Sequence, residues 1–237
     1  MKTLFEQILD LKTEAKNQRD RGLKGYKAAR SRLSAAIGLA GQGLAQTSVS
    51  DVRRQFAKEL ADCHGMVGGV ERRWAIEGPE EERGSHLGAS CCAYDAGFGY
   101  EWDPQYDIRA SYNLVNRLTG RLMMRPELLE VEDLVVLGAG IEPLNLPSKL
   151  GEAIDLIDLH LAKKGNFWAE ADLALLNVLL GRADAESAYA PFNELSPPAY
   201  AYTSALDGLR PLAALPMKTA QALKAAVTVL EARLRRS

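Results

Sequence analysis

Six side chains in this sequence carry donors suited to recognition: Arg72, Arg73, Arg109, Asn113, Asn116 and Arg117. Guanidinium and carboxamide groups present paired N–H donors that can clamp a peptide backbone or a carboxylate. Arg109, Asn113, Asn116 and Arg117 follow steps of four, three and one. On a helix that spacing makes a polar stripe beside an apolar face, and Arg121 would extend it. Arg72 and Arg73, next to Trp74, close an earlier helix that could continue the same surface. The competing reading is a plain solvated helix face whose charges pair along the helix.

Other chemistry is weaker. Val135-Val136-Leu137-Gly138-Ala139-Gly140-Ile141 resembles the opening of a dinucleotide-binding loop. That loop needs a strand before it, a third glycine, and a helix whose N-terminus meets the pyrophosphate. Here Pro143 holds the third position and Pro147 follows, so the run reads as a Gly-rich connection, and no cofactor is expected. Cys63, His64, His86, Cys91 and Cys92 lack the tight Cys-x2-Cys pairs of a zinc site, so no metal is expected. Cys63 reads as a small core hydrophobe. Asp155, Asp158 and His160 read as a solvated helix face, without the partners that acid–base work requires. There is no nucleophile elbow, His-Glu-x-x-His or Walker sequence. No catalytic residue is assigned, and the chain is not expected to be an enzyme.

These residues must be positioned by helices. The 237 residues are 47% hydrophobic and 25% charged, which permits a continuous core. A net charge of -2 argues against a general phosphate-backbone binder. Three cysteines, two of them adjacent, fit a reduced, cytoplasmic setting. The start lacks the apolar core of a signal peptide, and no run approaches the roughly 18 apolar residues of a membrane span. Helices are expected over 3–18, 23–45, 52–74, 87–100, 107–123, 149–163, 167–180, 183–195, 200–212 and 217–236, and in segments such as 3–18, 23–45, 149–163 and 217–236 apolar residues recur at steps of three and four. In segment 107–123 the inward set is Ile108, Tyr112, Val115, Leu118 and Leu122. Segment 77–84 reads as an exposed loop, and about 125–148 as an irregular insertion. Only 134–137 could be a short strand. The expected fold is all-α: one domain over 1–237, made of antiparallel helical hairpins, with a capping helix at about 216–236.

Ala29, Leu33 and Ala36 have the spacing of the second helix of a tetratricopeptide repeat. Leu173-Ala174, Gly181, Ala185, Tyr189 and Pro198 resemble a degenerate copy, with Gly181 as the turn and Pro198 as the end. Val67-Gly68 and Asp103-Pro104 resemble further fragments. Glu186 and Glu71 depart from the pattern, standing where a small and an aromatic residue are usual. Residues 59–65 and 112–118 are also similar to bacterial repeat proteins of signalling or defence operons. The resemblance implies a stacked α-solenoid interrupted by irregular segments. It implies a scaffold or adaptor that binds a protein or peptide partner on a concave surface containing the six residues above. The alternative from another class is a nucleic-acid or nucleotide sensor using Arg72, Arg73, Arg109, Arg117 and Arg121. A hydrolase or cofactor enzyme ranks last.

Overall fold

A computed structural model describes residues 2–137, 141, 144–161 and 165–236. Among the described residues the chain forms ten α-helices and one 3-10 turn, with no strand. The nearest approach to a sheet is a single antiparallel bridge between Val135 and Leu144. No helix among these residues is long and apolar enough to cross a membrane. The helices gather into two compact units, Met1–Gly120 and Arg121–Ser237.

The first unit holds α1 (Leu4–Arg19), α2 (Leu23–Gln46), α3 (Ser50–Glu77), α4 (Glu80–Trp102) and most of α5 (Tyr112–Met124). A capping box opens α1: Thr3 accepts from the Glu6 backbone N–H while Glu6 accepts from that of Thr3. In α2, Tyr26, Ala29, Leu33, Ala36 and Ala40 recur at steps of three and four, and all are buried. Phe56, Leu60 and Cys63 of α3 join Ala36, Ala40 and Ile8 in one core cluster. From α1 to α4 each helix packs on the next through a short turn, so these neighbours run antiparallel. The α1–α3 contact is slight; there Lys12 Nζ reaches Glu59 at 2.7 Å and also pairs with Asp62.

Two boundaries of the first unit differ from expectation. The exposed loop expected at 77–84 shrinks to Gly78 and Pro79, and α4 begins at Glu80. Pro79 immediately before the helix, and three glutamates in its first turn, form a helix start matched to the positive end of the dipole. The helix expected from about 107 begins instead at Tyr112, because Asp107 (φ 46°) and Arg109 (φ 54°) take left-handed backbone conformations that no α-helix contains. Helix α3 alone is 28 residues, approaching the roughly 34 of a whole tetratricopeptide unit.

The second unit holds the 3-10 turn Pro126–Glu130, α6 (Leu146–His160), α7 (Phe167–Leu179), α8 (Ala185–Glu194), α9 (Ala199–Ala213) and α10 (Ala220–Leu234). Helix α6 starts earlier than expected. Asn145 accepts from the Ser148 N–H and Pro147 lies in the first turn, where a missing N–H costs nothing. The expected Gly-rich connection at Gly138, Ala139, Gly140 and Pro143 lies outside the described residues. Gly181 ends α7 at φ 64°. Helix α10 packs on both α9 and α8.

Candidate functional site

The polar residues converge where the first turn of α5 settles between α3 and α4. A methyl group added at Gly97 of α4 would lie 2.5 Å from the Asn113 amide, and one at Gly65 of α3 would lie 2.8 Å from the Tyr112 ring. The absence of a side chain on both helices therefore admits α5. Once admitted, Asn113 is fully buried. Its Nδ2 donates to the Ala61 carbonyl at 3.1 Å and to Glu101 Oε1 at 2.7 Å. Glu101 is itself buried. A buried carboxylate needs such donors, and Asn113 meets that need from inside the core. Asn113 is thus corrected from a groove-lining residue to a core clasp.

Asn116, one turn on, is half-buried. Its Nδ2 donates to the Tyr112 carbonyl at 2.8 Å, and its Oδ1 accepts from Arg72 Nη1 on α3. The Arg72 guanidinium also sits 6.0 Å from the centroid of the buried Tyr94 ring. Burial holds the Tyr94 phenol protonated, well above its usual range. Arg117 pairs through Nε with Asp95 at 2.7 Å and lies 4.1 Å over the Phe98 ring. Arg73 is half-buried on α3 and close enough to Tyr26 to favour its phenolate, against the larger effect of burial.

Arg109 does not belong to this helix face. It sits in the α4–α5 connection, 5.1 Å over the Trp102 ring, with Nη1 donating to the Trp102 carbonyl at 3.3 Å and Nε 3.4 Å from Asp107. Arg121 is fully buried and cannot serve as an exposed cation. Tyr112, expected inward, is 44% exposed, and Ile76 on α3 is 47% exposed. On α3, Gly69, Arg72, Arg73 and Ile76 recur at steps of three, one and three, which places them on one side of the helix. Tyr112 reaches that side: its hydroxyl would stand 3.6 Å from a methyl group at Gly69. The structure therefore brings Arg72, Asn116 and Tyr112 together beside Arg73 and Ile76, whereas Arg109 and Asn113 have other tasks.

A second polar cluster went unforeseen. Glu71 is buried on α3 and accepts from Arg30 of α2 at 3.0 Å. Its other oxygen lies 2.6 Å from His86 Nδ1 of α4, and the His86 ring stacks on Trp74 at 4.3 Å. Its signal in the sequence is a lone carboxylate one residue after the apolar Val67–Val70 face. The cysteines and histidines do not converge. Cys63 lies in the core with its thiol pushed up to about 12 by burial, Cys91 is buried, Cys92 is exposed, and His64 stacks on Tyr100 with its pKa lowered by burial.

Comparison with known proteins finds no family model, no curated protein and no solved structure that matches this chain.

Proposed function

We propose that the chain is a non-enzymatic scaffold or adaptor, and that the α3–α5 face of its first unit binds a protein or peptide partner. The observation that carries this reading is Arg72, held by the Asn116 side-chain Oδ1 and the Tyr94 ring, beside the exposed Tyr112 and Ile76. A guanidinium fixed before binding loses little entropy when it meets a partner's carboxylate or carbonyl. Tyrosine and arginine are also the side chains that most often dominate binding energy at protein interfaces. In this reading the helical hairpins are a divergent form of the tetratricopeptide architecture with lengthened helices, and the partner belongs to a bacterial signalling or defence system.

The test is recovery of partner from extracts of the source cells by wild type and by Arg72→Ala/Asn116→Ala. Both substitutions are at half-buried positions, so circular dichroism should show an intact helical fold. The reading expects recovery to fall about tenfold or more, the scale of a truncated interface anchor. Unchanged recovery by a folded double variant would remove this face from the account.

A further inference from the structure

The turn between α1 and α2 and the turn between α3 and α4 lie at the same end of the first unit. A methyl group at Gly22 would stand 3.6 Å from Glu77 Oε2, and the Tyr26 and Trp74 rings are 6.1 Å apart. The two turns carry opposite charge. Lys16, Arg21, Lys24 and Lys27 are exposed around the first, where the one exposed acid, Asp20, is paired with Arg19 at 2.8 Å, and α2 has no acidic residue along its whole length. Glu77, Glu80, Glu81 and Glu82 are exposed around the second. Glu80, Glu81 and Glu82 have a local reason to be there, because the first turn of α4 favours negative charge. Lys16, in the last turn of α1, suits the negative end of that dipole, but Lys24 and Lys27 have no such reason. Lys24 stands in the first turn of α2, where a cation opposes the dipole, and the Gly22 cap supplies no side-chain acceptor. Arg30 and Arg32 are taken up by Glu71 and Glu14 at 3.0 and 2.9 Å, but among the described residues Lys24 and Lys27 make no ion pair. Leu23 beside them is 45% exposed.

A uniform polyanion, whether nucleic acid or anionic membrane, would be drawn to the basic turn and repelled by the acidic turn next to it. A surface with the same two charges in the same arrangement, rotated by a two-fold axis, is complementary at both places. From this we infer that the end of the first unit docks on a second copy of this chain. The basic α1–α2 turn of each copy lies on the acidic α3–α4 turn of the other, and Leu23 is covered at the contact. Such an interface is isologous, so it closes at a dimer. It uses none of Arg72, Tyr112 or Asn116, and it stands or falls independently of the partner-binding reading.

Sedimentation equilibrium of the full chain at low and high salt tests this directly. Wild type should form a dimer at low salt whose affinity falls as salt rises. Lys24→Glu/Lys27→Glu and Glu80→Lys/Glu81→Lys replace exposed side chains, so each should fold and each should weaken self-association by about tenfold or more, since four cross-copy attractions become repulsions. Mixing the two variants should restore a dimer, because each reversed turn then meets its opposite. Arg72→Ala should dimerise like wild type. A wild type that stays monomeric at low salt, reversal variants that dimerise unchanged, or a mixture that fails to associate would each overturn the inference.

Discussion

The two units hide different things. Among the described residues, the buried polar and charged Glu71, Ser90, Glu101, Ser111, Asn113 and Thr119 all belong to the first unit, and only Arg121 falls in the second. The first unit brings its helices together over glycines and joins them through side-chain hydrogen bonds. The second relies on aliphatic residues and edge-to-face rings, with Phe192 between Tyr189 at 6.3 Å and Tyr202 at 5.1 Å. An apolar core tolerates many fillings of the same volume, whereas a polar contact works only in one geometry. The first unit is therefore where this chain has fixed the orientation of particular side chains, Arg72 and Tyr112 among them.

Substitutions can break that contrast. The largest effect belongs to the second unit: Phe192→Ala should cost about 3–5 kcal/mol in chemical denaturation, through lost transfer energy and an unfilled cavity. In the first unit Asn113→Ala should cost about 1–3 kcal/mol despite removing few apolar atoms, because Glu101 and the Ala61 carbonyl each lose a donor inside the core. A near-neutral Asn113→Ala would mean the polar contacts do not organise this unit. Glycines should diverge in sign. A methyl at Gly68 would meet the buried Tyr94 ring at 2.8 Å, so Gly68→Ala should destabilise by about 1–3 kcal/mol. Gly208 in α9 has open space, so Gly208→Ala should stabilise by about 0.5–1 kcal/mol.

Smaller effects report on burial. With its thiol pushed up to about 12, Cys63 should resist a thiol reagent at neutral pH while exposed Cys92 is labelled, and denaturant should release Cys63. His64 provides the smallest effect. Its pKa is lowered in the folded state by burial, so protonation favours the unfolded chain. Its contribution is complete above the unfolded-state pKa near 6.5 and is lost as pH falls through the lower folded-state value. Thermal melts of wild type and His64→Gln should therefore converge as the solution is acidified; a constant difference would show that His64 does not titrate across unfolding.

What could be read from the sequence divides along the same line. Helices α7 and α10 follow from aliphatic spacing, since Leu175, Leu176, Val178 and Leu179, or Leu223 and Leu230, have no alternative to burial. The start of α5 does not follow, because the left-handed backbone at Asp107 and Arg109 is set by how the α4–α5 connection must turn. The helix start at Pro79 was legible in principle, but a run of glutamates also resembles a solvated loop. Residue type alone points to Arg72 and Asn116 together, and the two side chains meet. The burial of Asn113 does not follow from periodicity, which reports which side of a helix a residue occupies, because the buried Glu101 that it meets lies on another helix. The exposure of Tyr112 does not follow either, since apolar spacing gives no sign that Gly65 and Gly69 leave it on the surface.

The central claim is that the working surface lies on the α3–α5 face of the first unit and not among the exposed aromatics of the second. The most direct measurement places a photo-crosslinking amino acid at Tyr112 in one variant and at Tyr200 in another, which are 44% and 63% exposed in wild type. Both are then irradiated in the source cells. The account predicts a discrete crosslinked partner from position 112 that disappears when Arg72→Ala is added, and none from position 200. A partner captured at 200 and not at 112 would contradict it.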